Sequence, residues 1–216
     1  MNIKNIFFDF DGVIAESVNA KTEAFKEMYL PYGVEVANKV LDHHLKHGGV
    51  SRFEKFKIYH KDFLNKEISN QDVDELAKEF SNLVLDKVIN AEEVEGANYF
   101  IEKYASKLNF WIITGTPTDE IKIITNKRGI TSHFIGIYGS PENKKHWTEY
   151  IIKKHDLVRE EILFLGDATT DYDAAVHSNI HFGLREVEEN KELFKNYNGL
   201  RFKDFHILEN KLINSI

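Results

Sequence analysis

The 216-residue chain has no cysteine, which excludes a disulfide scaffold, thiol catalysis and thiolate metal sites together. Only three prolines are present, so there is no Pro-rich linker, and no internal repeat or low-complexity tract is visible. No apolar run approaches the ~18 residues of a membrane-spanning helix. The N-terminal residues lack the basic, apolar and small-residue succession of a secretion signal, so the expected location is the cytoplasm, with no membrane partner. Positive charge is also in deficit: 28 basic against 35 acidic residues give a net charge of -7. The molecule as a whole therefore offers no attractive surface to nucleic acid, and an anionic substrate must be held by local positive charge. At 42% hydrophobic, the sequence can build one good core plus a substantial insertion, or two modest domains.

Four β-rich runs stand out: Ile6–Phe10, Phe110–Thr114, Phe134–Tyr138 and Ile162–Asp167, with a weaker fifth at Ile180–Leu184. Each is followed by polar or glycine-containing residues and then a helical pattern, the signature of parallel strands joined by crossover helices. The helix after the second run has Thr116 as expected N-cap, Pro117 at its first position and a stop near Gly129. Another is expected from Lys144 to His155. The fold class is α/β, a Rossmann-like parallel sheet flanked by helices. The segment 17–90 is far longer than a crossover needs and carries helical periodicity with almost no strand signal. It is expected to be an inserted α-helical domain of about four helices, with 1–16 and 91–216 forming the core. Open α/β sheets bind ligands at the carboxyl ends of their strands, so an insertion there is placed to act as a lid.

Polar residues mark the carboxyl ends of the first four runs. Asp9 and Asp11 interrupt an otherwise apolar run, Thr114 ends the second strand, Lys144 follows the third, and Asp167 ends the fourth with Asp171 and Asp173 behind it. As strand-end residues alone, Asp9 and Asp11 could merely favour the positive end of the next helix, and Thr114 could be a turn residue. Together in one crevice they pose a charge problem, because clustered carboxylates cannot all stay ionised without a cation. Oxygen ligands without Cys or His favour a hard cation, which points to Mg²⁺. With a cation in place Asp9 is free to act as a nucleophile toward phosphorus, and Asp11, released by the turn at Gly12, can exchange protons with a leaving oxygen. Thr114 and Lys144 supply the hydrogen bond and positive charge that phosphoryl transfer uses.

The motifs "DFDGV", "WIITGT", a lysine after "GSPEN", and "GDATTDYDAA" resemble in order and spacing those of the haloacid dehalogenase-like hydrolase superfamily. The helical insertion is similar to the cap of its phosphoglycolate phosphatase and β-phosphoglucomutase relatives. The resemblance implies an aspartyl-phosphate formed on Asp9, with Asp11 as general acid and then base. It implies Mg²⁺ held by Asp9, the backbone carbonyl of Asp11 and Asp167, with Asp171 supporting the metal or orienting Lys144. It further implies phosphoryl contacts from Gly12, Thr114, Gly115 and Lys144. Because Asp11 is present, phosphoryl transfer is favoured over dehalogenation.

From Lys39 to Lys61 there are six basic and two acidic residues, a local +4 in a chain whose remainder carries -11. Arg52 is the expected anion receptor there, since a guanidinium grips phosphate or carboxylate bidentately. "GGVSR" also resembles the cap loop of β-phosphoglucomutases, where the matching arginine binds the non-transferring phosphate. Against a mutase stand Lys21, where that pattern has a histidine, and "GDATTD" in place of its glutamate-bearing form. The expected function is thus a phosphatase acting on a small phosphorylated metabolite such as a sugar phosphate. The alternatives are a sugar-phosphate mutase, a phosphoacceptor module and a non-catalytic binding protein. His43 and His47 have i, i+4 metal spacing without a third ligand, so substrate-facing or exposed histidines are preferred to zinc. Phe53, Phe56 and Tyr59 are expected to form the insertion's core face.

Overall fold

Side chains along Asn5–Phe8, the first strand (β1), alternate between two buried faces, Ile6 and Phe8 pointing one way and Phe7 the other. Both faces must therefore be covered by helices, which is the situation of a central parallel strand. The computed structural model describes residues 2–212. Besides β1 it contains β2 (Asn109–Pro117), β3 (Gly136–Ser140), β4 (Ile162–Gly166), β5 (His181–Arg185) and β6 (Leu200–Phe202). All pair in parallel in one sheet, ordered β3-β2-β1-β4-β5-β6. The chain runs outward to β3 on one side and returns to place β4 on the other. The topological switch thus falls beside β1, where a ligand crevice is expected.

One face carries Ile6, Phe8, Phe110, Ile112, Leu163 and Leu165. It packs against α5 (Ala97–Tyr104), α6 (Thr118–Lys127) and α9 (Phe205–Leu212). The other face carries Phe7, Trp111, Ile113 and Phe164 against α7 (Lys144–Lys154) and α8 (Thr169–His177). Edge-to-face aromatic pairs tie neighbouring strands, with centroids 5.1 Å apart for Phe8–Phe110 and 5.5 Å for Phe7–Trp111.

Several expected boundaries shift. β1 ends at Phe8, because the Phe10 N–H leaves the ladder for the Asp9 carboxylate at 2.7 Å. β2 runs on to Pro117, so α6 begins at Thr118 and Thr116 does not cap it. The Thr116 hydroxyl instead donates to Asp11 Oδ2 at 3.0 Å. β3 lies two residues later than expected, and the short edge strand β6 had no strand signal.

Between β1 and β2 the chain forms α1 (Val18–Tyr29), α2 (Val34–Lys46), α3 (Arg52–Ile58) and α4 (Asn70–Ile89). Ser51 caps α3, and Ser69 with Asp72 forms a reciprocal capping box on α4. The helices close on Phe25, whose ring lies 4.3 Å from Phe80, 5.7 Å from Phe56 and 5.6 Å from Tyr59. Phe56 and Tyr59 are fully buried, whereas Phe53 is only partly so. The insertion is fastened to the core at its exit: the Arg128 guanidinium donates to the carbonyls of Val88, Ile89 and Ala91 at 3.2, 3.0 and 2.7 Å. Val88 and Ile89 carry the last carbonyls of α4, where helix geometry leaves few intrahelical donors, and Ala91 lies just beyond its end.

Candidate active site

The carboxyl ends of β1 and β4 bring Asp9, Asp167 and Asp171 together, with one oxygen of each within 4.8 Å of the others. This is the metal-capable grouping among the described residues, so His43 and His47 acquire no third ligand there. Lys144, at the start of α7, sits between two of the acids. Its Nζ is 2.8 Å from Asp9 Oδ2 and 2.5 Å from Asp171 Oδ1, and it is only 4% exposed. Lys145 points to solvent. Asp171 also accepts the Ala168 N–H at 3.1 Å, which fixes its carboxylate at the start of α8.

One lysine does not balance three acids. Burial, then the charges of Asp9 and Asp171, push the Asp167 carboxyl well above its usual range, and Lys144 only partly opposes them. Asp171 is raised to about 7, burial again outweighing Lys144. Burial alone would lower Lys144, but Asp171 and Asp9 reverse the effect and raise it, so it stays charged. Gly12 cradles the cluster: at φ +73° it adopts a turn that favours glycine, and a Cβ there would stand 2.2 Å from Asp167 Oδ2. Oxygen-only donors, excess negative charge and a backbone held clear of Asp167 fit a hard divalent cation.

Asp11 has a different environment. Ser17 Oγ donates to its Oδ1 at 2.6 Å, and Lys21 Nζ and Thr116 Oγ1 hold its Oδ2. Burial would raise its carboxyl, but the charge and hydrogen bond of Lys21, with those of Ser17 and Thr116, hold it below the usual range. Thr114 is buried to 1% exposure at the inner end of the crevice, its Oγ1 accepting the Thr116 N–H at 3.2 Å. The hydroxyl proton has no protein acceptor among the described residues.

The crevice opens into a cavity of about 200 Å³ between the sheet edge and the helical insertion. Asp9, Asp11, Thr114 and Asp167 line its floor, with Phe25, His44, Lys55 and Phe80 on the opposite wall. The Gly48–Gly49 loop closes one side. Thr170 Oγ1 donates to Gly48 O at 3.0 Å, and a Cβ on Gly115 would meet Gly49 O at 2.6 Å. Gly115 is thus the point where the insertion's backbone touches the core.

Arg52 lines the cavity but is not an open receptor. Its guanidinium makes a bidentate pair with Glu120 of α6 at 2.8 and 2.6 Å and also reaches Ser81 Oγ at 2.6 Å. Arg52 and Glu120 are both buried, and the guanidinium lies 4.5 Å from the Phe80 ring centre. Sequence reasoning had no signal for Glu120, an acid in the first turn of an ordinary amphipathic helix. It also missed Ser17, His44 and Lys55, which lie outside the strand-end motifs, and it read Thr116, the last residue of "WIITGT", as a helix cap. Lys21 was visible only as a departure from the mutase pattern.

The sequence model of haloacid dehalogenase-like hydrolases matches residues 6–184. No curated protein matches the chain in sequence. Among solved structures, β-phosphoglucomutase from Clostridium difficile superposes with TM-score 0.78 at 20% identity, covering 98% of this chain and 96% of that one. A predicted phosphoglycolate phosphatase from Haemophilus somnus gives 0.71 at 18% identity over 99% of both chains. The magnesium-bound YfnB protein of Bacillus subtilis gives 0.72 at 13% identity, covering 99% of this chain and 100% of that one. At these identities the likeness is one of fold.

Proposed function

Because the chain belongs to the haloacid dehalogenase-like hydrolases, we propose that it is a Mg²⁺-dependent phosphatase of a small phosphorylated metabolite, with residues 17–90 as a cap over the core. The observation that carries this reading is the contrast between two aspartates two positions apart. Asp9 lies in the metal-capable cluster against Lys144, whereas Asp11 is held by Lys21, Ser17 and Thr116 on the same cavity floor. One is placed for phosphorus and the other for a proton.

In this mechanism an Asp9 carboxylate oxygen bonds to phosphorus as the ester P–O bond breaks. Asp11 gives its proton to the departing alkoxide. Asp11, now ionised, takes a proton from water as the water oxygen bonds to phosphorus and the P–O bond to Asp9 breaks, releasing phosphate. Lys21 favours the ionised form that the second half uses. The negative charge of an arriving phosphate ester favours the protonated form that the first half uses. Lys144 and the Thr114 hydroxyl stabilise the equatorial oxygens. Mg²⁺, held by Asp9 and Asp167 with Asp171 in support, would supply charge neutralisation at the transferring group. In the β-phosphoglucomutase cap loop that "GGVSR" resembles, the arginine grips the second phosphate, and here the matching Arg52 is committed to Glu120. Among the described residues no helix is long and apolar enough to cross a membrane.

The test is a panel of phosphorylated metabolites assayed for phosphate release with Mg²⁺, with chelator and with Asp9→Asn. Release should require both the metal and Asp9. Turnover that survives chelator and the substitution would refute the mechanism, and conversion of a hexose 1-phosphate to its isomer without free phosphate would establish the mutase instead.

A further inference from the structure

Among the cations that line the cavity, one is unlike the others. Lys21 is paired with Asp11, Arg52 with Glu120, Arg185 with Glu16 and Lys46 with Asp42. Lys55, on α3, also lines the cavity, yet it has no carboxylate partner among the described residues. Its Nζ makes one hydrogen bond, to His44 Nδ1 at 2.8 Å. The other two N–H donors of the ammonium have no protein acceptor among the described residues. The side chain is only 2% exposed and its Nζ lies 5.6 Å from the centre of the Phe25 ring.

A buried ammonium without a counter-ion is unfavourable, and chains seldom retain one unless a ligand completes it. We propose that Lys55 is the receptor for a second anionic group of the substrate, a carboxylate or phosphate remote from the phosphoryl group that Asp9 takes. The substrate is then a phosphate ester that carries another negative charge across the cavity. With Lys55 charged, His44 accepts at Nδ1 and bears its ring proton on Nε2, so the pair presents donors and no negative charge to the ligand. Phe25 and Phe80 line the same wall and keep water from the contact, which strengthens it. The protonation balance is compatible: burial, aided by Lys21 and Lys144 and opposed by Asp11, brings the Lys55 amine to about 7. An arriving anion would draw it to the charged form.

This assignment rests on the phosphatase reading for the position of the first phosphate, and the experiment separates the two. Binding to the Mg²⁺-loaded wild-type protein is measured by calorimetry for ω-phosphonocarboxylates of increasing chain length, for bisphosphonates of the same spans, and for alkylphosphonates of equal length. At least one distal-anion ligand should bind about ten-fold or more tightly than its alkylphosphonate match, the factor a charge-assisted hydrogen bond carries. Whether the carboxylate or the phosphonate series shows the gain identifies the second group. In Lys55→Met the advantage should fall below about two-fold, and Lys55→Arg should recover part of it. Lysine Cε resonances of the wild-type protein give a readout independent of any variant's folding, since only a distal-anion ligand should shift that of Lys55. No advantage at any chain length in the wild type, an advantage that persists in Lys55→Met, or an unshifted Lys55 resonance would each overturn the proposal. Absence of phosphate release from every ester would refute the phosphatase reading and leave this binding result standing.

Discussion

Arg52 offers the sharpest test of how the helical insertion is joined to the core. If its guanidinium is a buried strut to Glu120, its removal must cost stability before it costs substrate affinity. Arg52→Met leaves the Glu120 carboxylate, 7% exposed, with only the Ser81 hydroxyl at 2.5 Å. Breaking a buried ion pair from one side costs about 3–5 kcal/mol, because the remaining charge is stranded. The lost contact with the face of Phe80 adds roughly 0.5–2 kcal/mol, partly recovered by the methionine stem. For a chain of this size each kcal/mol corresponds to about 2–4 °C, so loss of the ion pair alone should lower melting by roughly 6–20 °C.

The companion variant decides the cause. In Arg52→Met with Glu120→Leu both charges are gone, and the hydrophobic replacement of a buried pair is commonly near neutral. Urea unfolding of the two singles and the double therefore closes a cycle with a coupling of at least about 3 kcal/mol, since each single strands a buried charge and the double strands none. The reasoning is refuted if Arg52→Met costs less than about 1 kcal/mol, or if adding Glu120→Leu restores nothing. An unchanged unfolding curve with a raised KM would return Arg52 to the role of substrate receptor.

Lys144→Met removes the cation between Asp9 and Asp171 and should lower phosphate release at least 100-fold, whereas Lys145→Met, at an exposed position, should leave it within two-fold, as initial rates will show. Gly12→Ala forces a side chain onto a backbone at φ +73° and against Asp167, so it should cost more than about 1 kcal/mol in urea unfolding and raise the Mg²⁺ concentration needed for half-maximal rate. Acid should loosen the helical insertion: burial chiefly holds His43 down to about 4, His44 well below its usual range and His60 low. Their neutral forms therefore stabilise the fold above about pH 6.5, and that stability is lost as pH falls toward 4. Amide protection factors across residues 34–64, which divide out the base catalysis of exchange, should fall between pH 7.5 and 5.0. The local readout is needed because Asp171, raised to about 7, moves global stability in the opposite direction.

The parallel sheet was legible because its central strands are buried on both faces and so appear as short continuous apolar runs. The extra length between the first two strands equally declared a helical insertion. Boundaries failed where a side chain replaced a backbone partner. The Asp9 carboxylate satisfies the Phe10 N–H and stops β1, and Thr116, which has good N-cap chemistry, turns instead to Asp11. Local propensity cannot anticipate either choice, since both depend on partners supplied by the folded site. Strand β6 escaped notice because three residues at a sheet edge carry too little periodicity to register.

The same distinction explains why the floor of the site was readable and its wall was not. Asp9, Lys144 and Asp167 stand at or just after strand ends, and Thr114 follows the last regularly paired residue of β2, so parallel topology brings all four into one crevice whatever the intervening sequence. Arg52 and Lys55 occupy one short helix three residues apart, and nothing in their local sequence separates a structural cation from a ligand-binding one. The difference lies in α6, where Glu120 meets the guanidinium, whereas among the described residues no acid meets the ammonium. The same clustered positive charge therefore has two destinations. One cation fastens the insertion to the core, and the other faces the cavity without a counter-charge among the described residues.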